Sequence, residues 1–135
     1  MLIRMDEKTH YWIALAEYDL ETAKVMLSGK RFLYVGFMCH QVVEKALKAY
    51  YQFFRKNTPP HIHNLSVLAS QGGLYGNFDE SQKDLLDVLE PLNVEARYPT
   101  HKDQLFRSLT EERCKAILES TEELFAWIIQ KLSNQ

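Results

Sequence analysis

The sequence is poor in the features that mark several large protein classes. It has two cysteines in 135 residues. That is too few for the disulfide framework of a small secreted domain, and Cys39 and Cys114 read as reduced core thiols of a cytoplasmic protein. No apolar run approaches the roughly 18 residues of a membrane span, so no membrane association is expected. The opening MLIRMDEKTHYW has neither the apolar stretch nor the small-residue cleavage site of a secretory signal. Positive charge is not in excess: 16 Lys and Arg stand against 18 Asp and Glu, a formal net charge of −2. A chain so balanced carries no global footprint for nucleic acid, and any nucleotide or RNA site must be local. Gly72-Gly73 and Gly76 form no phosphate loop, because no Gly-Lys-Ser/Thr follows them, and no G-x-S-x-G elbow occurs. His61-x-His63 and Cys39-His40 lack third and fourth ligands at metal-site spacing, and Glu-x-x-His occurs only at Glu7 to His10. Neither a metal nor another cofactor is expected.

What is present is helical periodicity along nearly the whole chain, in a length suited to one domain spanning residues 1–135. A first helix is expected from about Asp6 to Ser28, with Tyr11, Trp12, Leu15, Ala16, Ala23, Met26 and Leu27 at three- and four-residue steps and Gly29 as its stop. A second, almost wholly apolar, runs from about Phe32 to Lys56 and is ended by Asn57 and Pro59-Pro60. A short third covers about Asn64 to Gln71. A fourth starts at Asp79 with Gln82 in the capping-box position, and Pro91 should kink or end it, leaving about Asn93 to Arg107 irregular. The last starts at Ser108, with Glu111 in the capping-box position, and runs through Cys114, Ile117, Leu118, Thr121, Leu124, Phe125, Ile128 and Leu132. The expected fold is all-α, an antiparallel up-and-down four-helix bundle with a short accessory helix.

Polar residues on apolar stripes are the informative ones in such a bundle. Asp19 shares a face with Trp12, Leu15, Ala16, Ala23 and Met26. A buried lone carboxylate costs several kcal/mol, so Asp19 needs a partner, either in a structural ion pair or in a site. On the second helix Gln41, Glu44, Lys45, Lys48, Gln52 and Arg55 form one narrow polar stripe. The stripe is either that helix's only solvated face or the lining of a cleft or dimer interface. A helix so apolar on its other faces calls for more cover than three partner helices give, and a second copy of the chain is the simplest supply.

Four motifs together resemble a known family. Ala16, Asp19, Leu20 and Ala23 make an A-x-x-D-L…A pattern. Phe37, Gln41, Glu44, Lys45, Ala46, Leu47 and Lys48 make F-x-x-x-Q-x-x-E-K-A-L-K. HNLSVL, from His63, resembles an H-x-L-x-x-L turn and short helix, and EARYP resembles an arginine-tyrosine-proline signature after the fourth helix. In this order and spacing they resemble the HEPN domain, named for nucleotide binding in higher eukaryotes and prokaryotes, over about residues 10–130. The resemblance implies a helical bundle that commonly forms homodimers. It also implies a frequent partnership with a minimal nucleotidyltransferase, often as a toxin–antitoxin pair. Many members are metal-independent ribonucleases with an arginine followed by a histidine; others bind nucleotides or act as scaffolds.

Two arginine–histidine pairs compete for that chemistry. Metal-free cleavage needs a histidine to move a proton and a cation on the phosphate, and arginine offers a bidentate fork. Arg55 and His61 have a suitable spacing but read as a helix end and an exposed loop. Arg97 and His101 lie after the fourth helix, where the family's motif is expected, with three residues between them, one fewer than usual. The expected catalytic pair is therefore Arg97 and His101. Asp19, Gln41, Glu44, Lys45, His63 and Tyr98 are expected to bind nucleotide or RNA. The competing reading is a non-catalytic interaction module whose polar cluster is structural, with RYPTH a turn and His63 capping or buttressing the third helix.

Overall fold

Each helix begins and ends on local chemistry that the sequence supplies. The computed structural model describes residues 5–97 and 107–133, with positions 94–97 described by backbone alone. Helix α1 is Glu7–Ser28, capped by Asp6, whose side chain accepts from the Thr9 amide at 2.7 Å. Helix α2 is Phe32–Arg55. Helix α3 is Leu65–Gly72; Asn64 caps it, and Gly73 at φ 85° closes it in the left-handed conformation that glycine adopts without steric cost. A 3₁₀ turn over Tyr75–Asn77, with no counterpart in the sequence reading, leads to helix α4, Glu80–Arg97. The expected capping box is present: the Gln82 amide donates to Asp79 Oδ1 at 2.8 Å and the Asp79 amide to Gln82 Oε1 at 2.9 Å. Helix α5 is Glu111–Ser133.

Three local expectations are corrected. Pro91 does not end α4, which continues to Arg97, so residues 93–97 are helical rather than irregular. Pro91 is exposed, so the carbonyl its ring leaves unpaired can turn to water, while buried Leu89 and Leu92 hold the helix to the core on either side. The last helix begins at Glu111, not Ser108. Leu109 is buried ahead of it, and the Thr110 hydroxyl takes the capping role by accepting from the Arg113 amide at 3.2 Å. At the end of α1 the chain stops where expected, yet Gly29 has an ordinary negative φ and Lys30 carries the positive one, 58°.

The expected all-α bundle is the observed one. Trp12 meets Lys48 and Asp19 meets Lys45, so α1 and α2 are antiparallel. Helices α4 and α5 are antiparallel too, with Gln82 and Trp127 lining one surface groove between them and Val88 and Arg113 lining another. Helices α2 and α5 run parallel: the Cys114 thiol lies 3.7 Å from the Phe32 carbonyl at one end, and Leu132 packs with Ala49 and Phe53 at the other. Parallel partners in an up-and-down order are diagonal, and this diagonal pair is packed together. Helix α2 also touches α1, α3 and α4, and so runs through the middle of the bundle. Small residues permit that approach. Ala46 and Ala49 are fully buried, and a Cβ built on Gly36 would fall 2.8 Å from Leu92 Cδ1. Among the described residues no helix is long and apolar enough to cross a membrane. Both cysteines are free and buried, and burial pushes the Cys39 thiol up to about 12 and the Cys114 thiol up to about 11, which leaves both unreactive near neutrality.

Candidate functional site

Because α2 lies in the middle, its polar stripe is covered. Glu44, Lys48 and Gln52 are buried, Gln41 and Lys45 are half-buried, and only Arg55 at the helix end is exposed. The solvated-face reading of the stripe is thereby overturned: α1, the chain leading into α3, and α4 close over it.

Glu44 is the hub. Its Oε2 accepts from Lys48 Nζ at 3.3 Å, one turn along α2. Its Oε1 lies 3.0 Å from His63 Nδ1 and 3.9 Å from His40 Nδ1. Lys45 reaches across to α1 and donates to Asp19 Oδ2 in a close charged hydrogen bond. Asp19 thus finds in Lys45 the partner its burial demands. On the α4 side, His40 Nε2 lies 3.4 Å from Glu90 Oε1, which also accepts from the Leu65 amide at 2.8 Å. Gln41 Nε2 donates to Asn93 Oδ1 at 3.3 Å and lies 3.4 Å from His40 Nδ1. With the Gln41 amide on Nδ1, the His40 ring carries its proton on Nε2 and turns it to Glu90.

Two histidines meet Glu44 in different settings. His40 is fully buried, and that burial lowers its pKa against the opposing pull of Glu44 and Glu90. It is a neutral, internal hydrogen-bonding ring. The His63 side chain is 55% exposed with its Nδ1 against a buried carboxylate. A carboxylate on Nδ1–H fixes the tautomer and leaves Nε2 as a proton acceptor, an arrangement suited to general acid–base work.

Of the residues expected at a site, Gln41, Glu44 and His63 join one network through His40, and Asp19 and Lys45 form a separate pair at the next position of α2. Arg97 is the last residue of α4 rather than part of an irregular segment, and its side chain is not described. Tyr98 and His101 lie outside the described residues. His63 does not cap α3, since Asn64 accepts the Val67 amide at 2.9 Å. Arg55 and His61 are both exposed, and Arg55 Nε donates to the Gln71 carbonyl at 3.0 Å, tying the end of α2 to α3. Among the described residues no three His, Cys, Asp or Glu side chains group as a metal-holding set.

Three participants escape the sequence reading: His40, Glu90 and Asn93. In the sequence His40 stands out only as half of an incomplete metal pair with Cys39. Glu90 and Asn93 fall at steps of four and three from buried Leu86, the same pattern that singles out Asp19. Ending the fourth helix near Pro91 hides that stripe.

The family model for the HEPN domain matches residues 9–132. The chain belongs to the HEPN-domain family. Membership places it among nucleotide- and RNA-related domains. No curated protein matches the chain. Among solved structures, the crystal structure of TT1696 from Thermus thermophilus is similar in fold at 19% identity. It has a TM-score of 0.78, and the match covers 93% of this chain and 99% of that one. At that identity the likeness speaks for the fold.

Proposed function

We propose that this HEPN domain handles a nucleotide or RNA at the Glu44 cluster and acts as a metal-independent endoribonuclease. The observation that carries the proposal is the half-exposed His63 held by its Nδ1 on buried Glu44, beside Asp19, Gln41 and Lys45. Arg97, Tyr98 and His101 follow along the chain from Asn93, which Gln41 holds within the cluster. In the proposed reaction a histidine, His101, takes the proton of a 2′-hydroxyl. The 2′-oxygen attacks phosphorus, Arg97 stabilises the charge gathering on the phosphate oxygens, and the 5′-oxygen leaves with a proton. The product is a 2′,3′-cyclic phosphate. The proposal includes a cytoplasmic, single-domain homodimer, with a minimal nucleotidyltransferase as its toxin–antitoxin partner.

A second reading has its own support. Asp19 is paired with Lys45 and Glu44 with Lys48, so much of the cluster's charge is internally neutralised, as in a structural network of a non-catalytic interaction module. Incubating the purified protein with mixed RNA in EDTA separates the two. The ribonuclease predicts cyclic-phosphate ends that disappear with Arg97→Ala and with His101→Ala. No cleavage by the wild type removes the ribonuclease. Cleavage that survives both substitutions removes the catalytic assignment.

A further inference from the structure

A second feature lies back to back with the Glu44 cluster. Between the start of α1, the last turns of α2 and the Thr58–Pro59 loop is a cleft of about 400 Å³. That volume falls in the range of roughly 300–1,000 Å³ usual for small-molecule sites. Trp12 and Tyr11 form its aromatic wall, their rings edge to face with centroids 5.9 Å apart. Tyr11 is 60% exposed, a large aromatic surface left to solvent. Gln52 lines the cleft from α2. It is 4% exposed, yet its carboxamide makes no hydrogen bond to another described residue. Its amide atoms are not among the fully buried unpartnered ones, so they still meet solvent at the cleft, and a ligand there can take the place of water as their hydrogen-bond partner.

We infer that this cleft is a nucleobase subsite, in which a base stacks on the Trp12–Tyr11 wall and pairs its hydrogen-bonding edge with the Gln52 carboxamide. A carboxamide offers a donor and an acceptor side by side, which is the arrangement that reads adenine through its N6 and N7. Aromatic side chains give a base a stacking surface whatever its identity. Lys48 connects the cleft to the cluster: its Nζ lies 3.3 Å from Glu44 Oε2 and 5.4 Å from the Trp12 ring centroid. The inference rests on the nucleotide-handling reading above and adds where the base sits and which groups read it.

The test uses the intrinsic fluorescence of the whole chain. The protein has two tryptophans, and Trp127 packs against Phe78 at the α5 side of the bundle. In a Trp127→Phe protein all indole emission comes from Trp12. Adenosine monophosphate should quench it saturably, and ribose 5-phosphate, which lacks the base, should not. A Trp12→Phe protein titrated in parallel corrects for absorption by the nucleotide. Gln52→Ala should weaken binding at least about fivefold, the worth of one net hydrogen bond. Tyr11→Ala, at a position 60% exposed, should weaken it as well. Equal quenching by ribose 5-phosphate, or affinity unchanged by both substitutions, overturns the subsite. Thermal shift with adenosine monophosphate separates two failures. A shift without Trp12 quenching rejects the subsite alone; neither shift nor quenching rejects nucleotide binding too.

Discussion

At the scale of single residues, the cluster depends on Glu44 having partners and on His40 staying neutral. Glu44→Ala would leave Lys48, itself buried, without its counter-charge, and breaking a buried pair this way costs about 3–5 kcal/mol. Glu44→Gln keeps an acceptor for Lys48 and should cost less; urea unfolding of the two variants measures the difference. His40 sets a pH dependence. Its folded pKa is lowered from 6.5, so on acidification the unfolded chain takes up a proton here before the folded one does. The charged groups facing it are Glu44 on its own helix and Glu90 from α4, and the cost of burial outweighs both. The stability that neutral His40 confers is complete above about pH 6.5 and is lost as pH falls from there through the folded value. Thermal melts between about pH 7.5 and 5.5 should show this loss in the wild type and a smaller one in His40→Gln.

At the scale of helices, the contact between α2 and α4 is set by one missing side chain. Gly36→Ala would drive a methyl against Leu92, which is buried and has little room to swing aside. Alanine gains roughly 1 kcal/mol over glycine in a helix, while overpacking costs roughly 1–3 kcal/mol, so the net expectation is a loss of about 1 kcal/mol. Leu92→Ala in the same chain should relieve the clash, and a double-mutant cycle would reveal the coupling. The helices themselves were legible in the sequence because caps and periodicity are local signals. Asp6, Asn64 and the Asp79–Gln82 box lie within a residue of where the pattern puts them. The course of α4 past Pro91 was not legible, since it depends on tertiary anchoring by Leu89 and Leu92. The same holds for the site. Asp19, Gln41, Glu44, Lys45 and His63 could be picked out as polar residues in a motif or on an apolar helix. That Gln41, Glu44 and His63 join one network with His40, Glu90 and Asn93, and that Asp19 meets Lys45, follows only from α2 being central.

At the scale of the whole molecule, most of the cover that the apolar second helix demands is supplied within the chain, by α1, α3, α4 and α5, with Tyr34 left 49% exposed. The outside of α1 offers a second copy apolar surface, since Tyr18 and Val25, seven residues apart on one face, are 73% and 63% exposed. If the proposed homodimer uses that face, sedimentation should show a dimer, and Tyr18→Glu should shift it to monomer without lowering the melting temperature of the monomer. An unchanged sedimentation coefficient in Tyr18→Glu would move the interface elsewhere. The central position of α2 also bears on how the chain can change over time. On an ordinary amphipathic helix, neutral substitutions collect on the polar face every three or four residues. Here most of the polar face is enclosed as well, so a saturation scan should find α2 tolerant at exposed Tyr34 and Arg55 and intolerant over most of the rest of its circumference. Changes of specificity would then have to arise in its neighbours, on α1 and the Thr58–Pro59 loop, while the helix that holds the site stays nearly fixed.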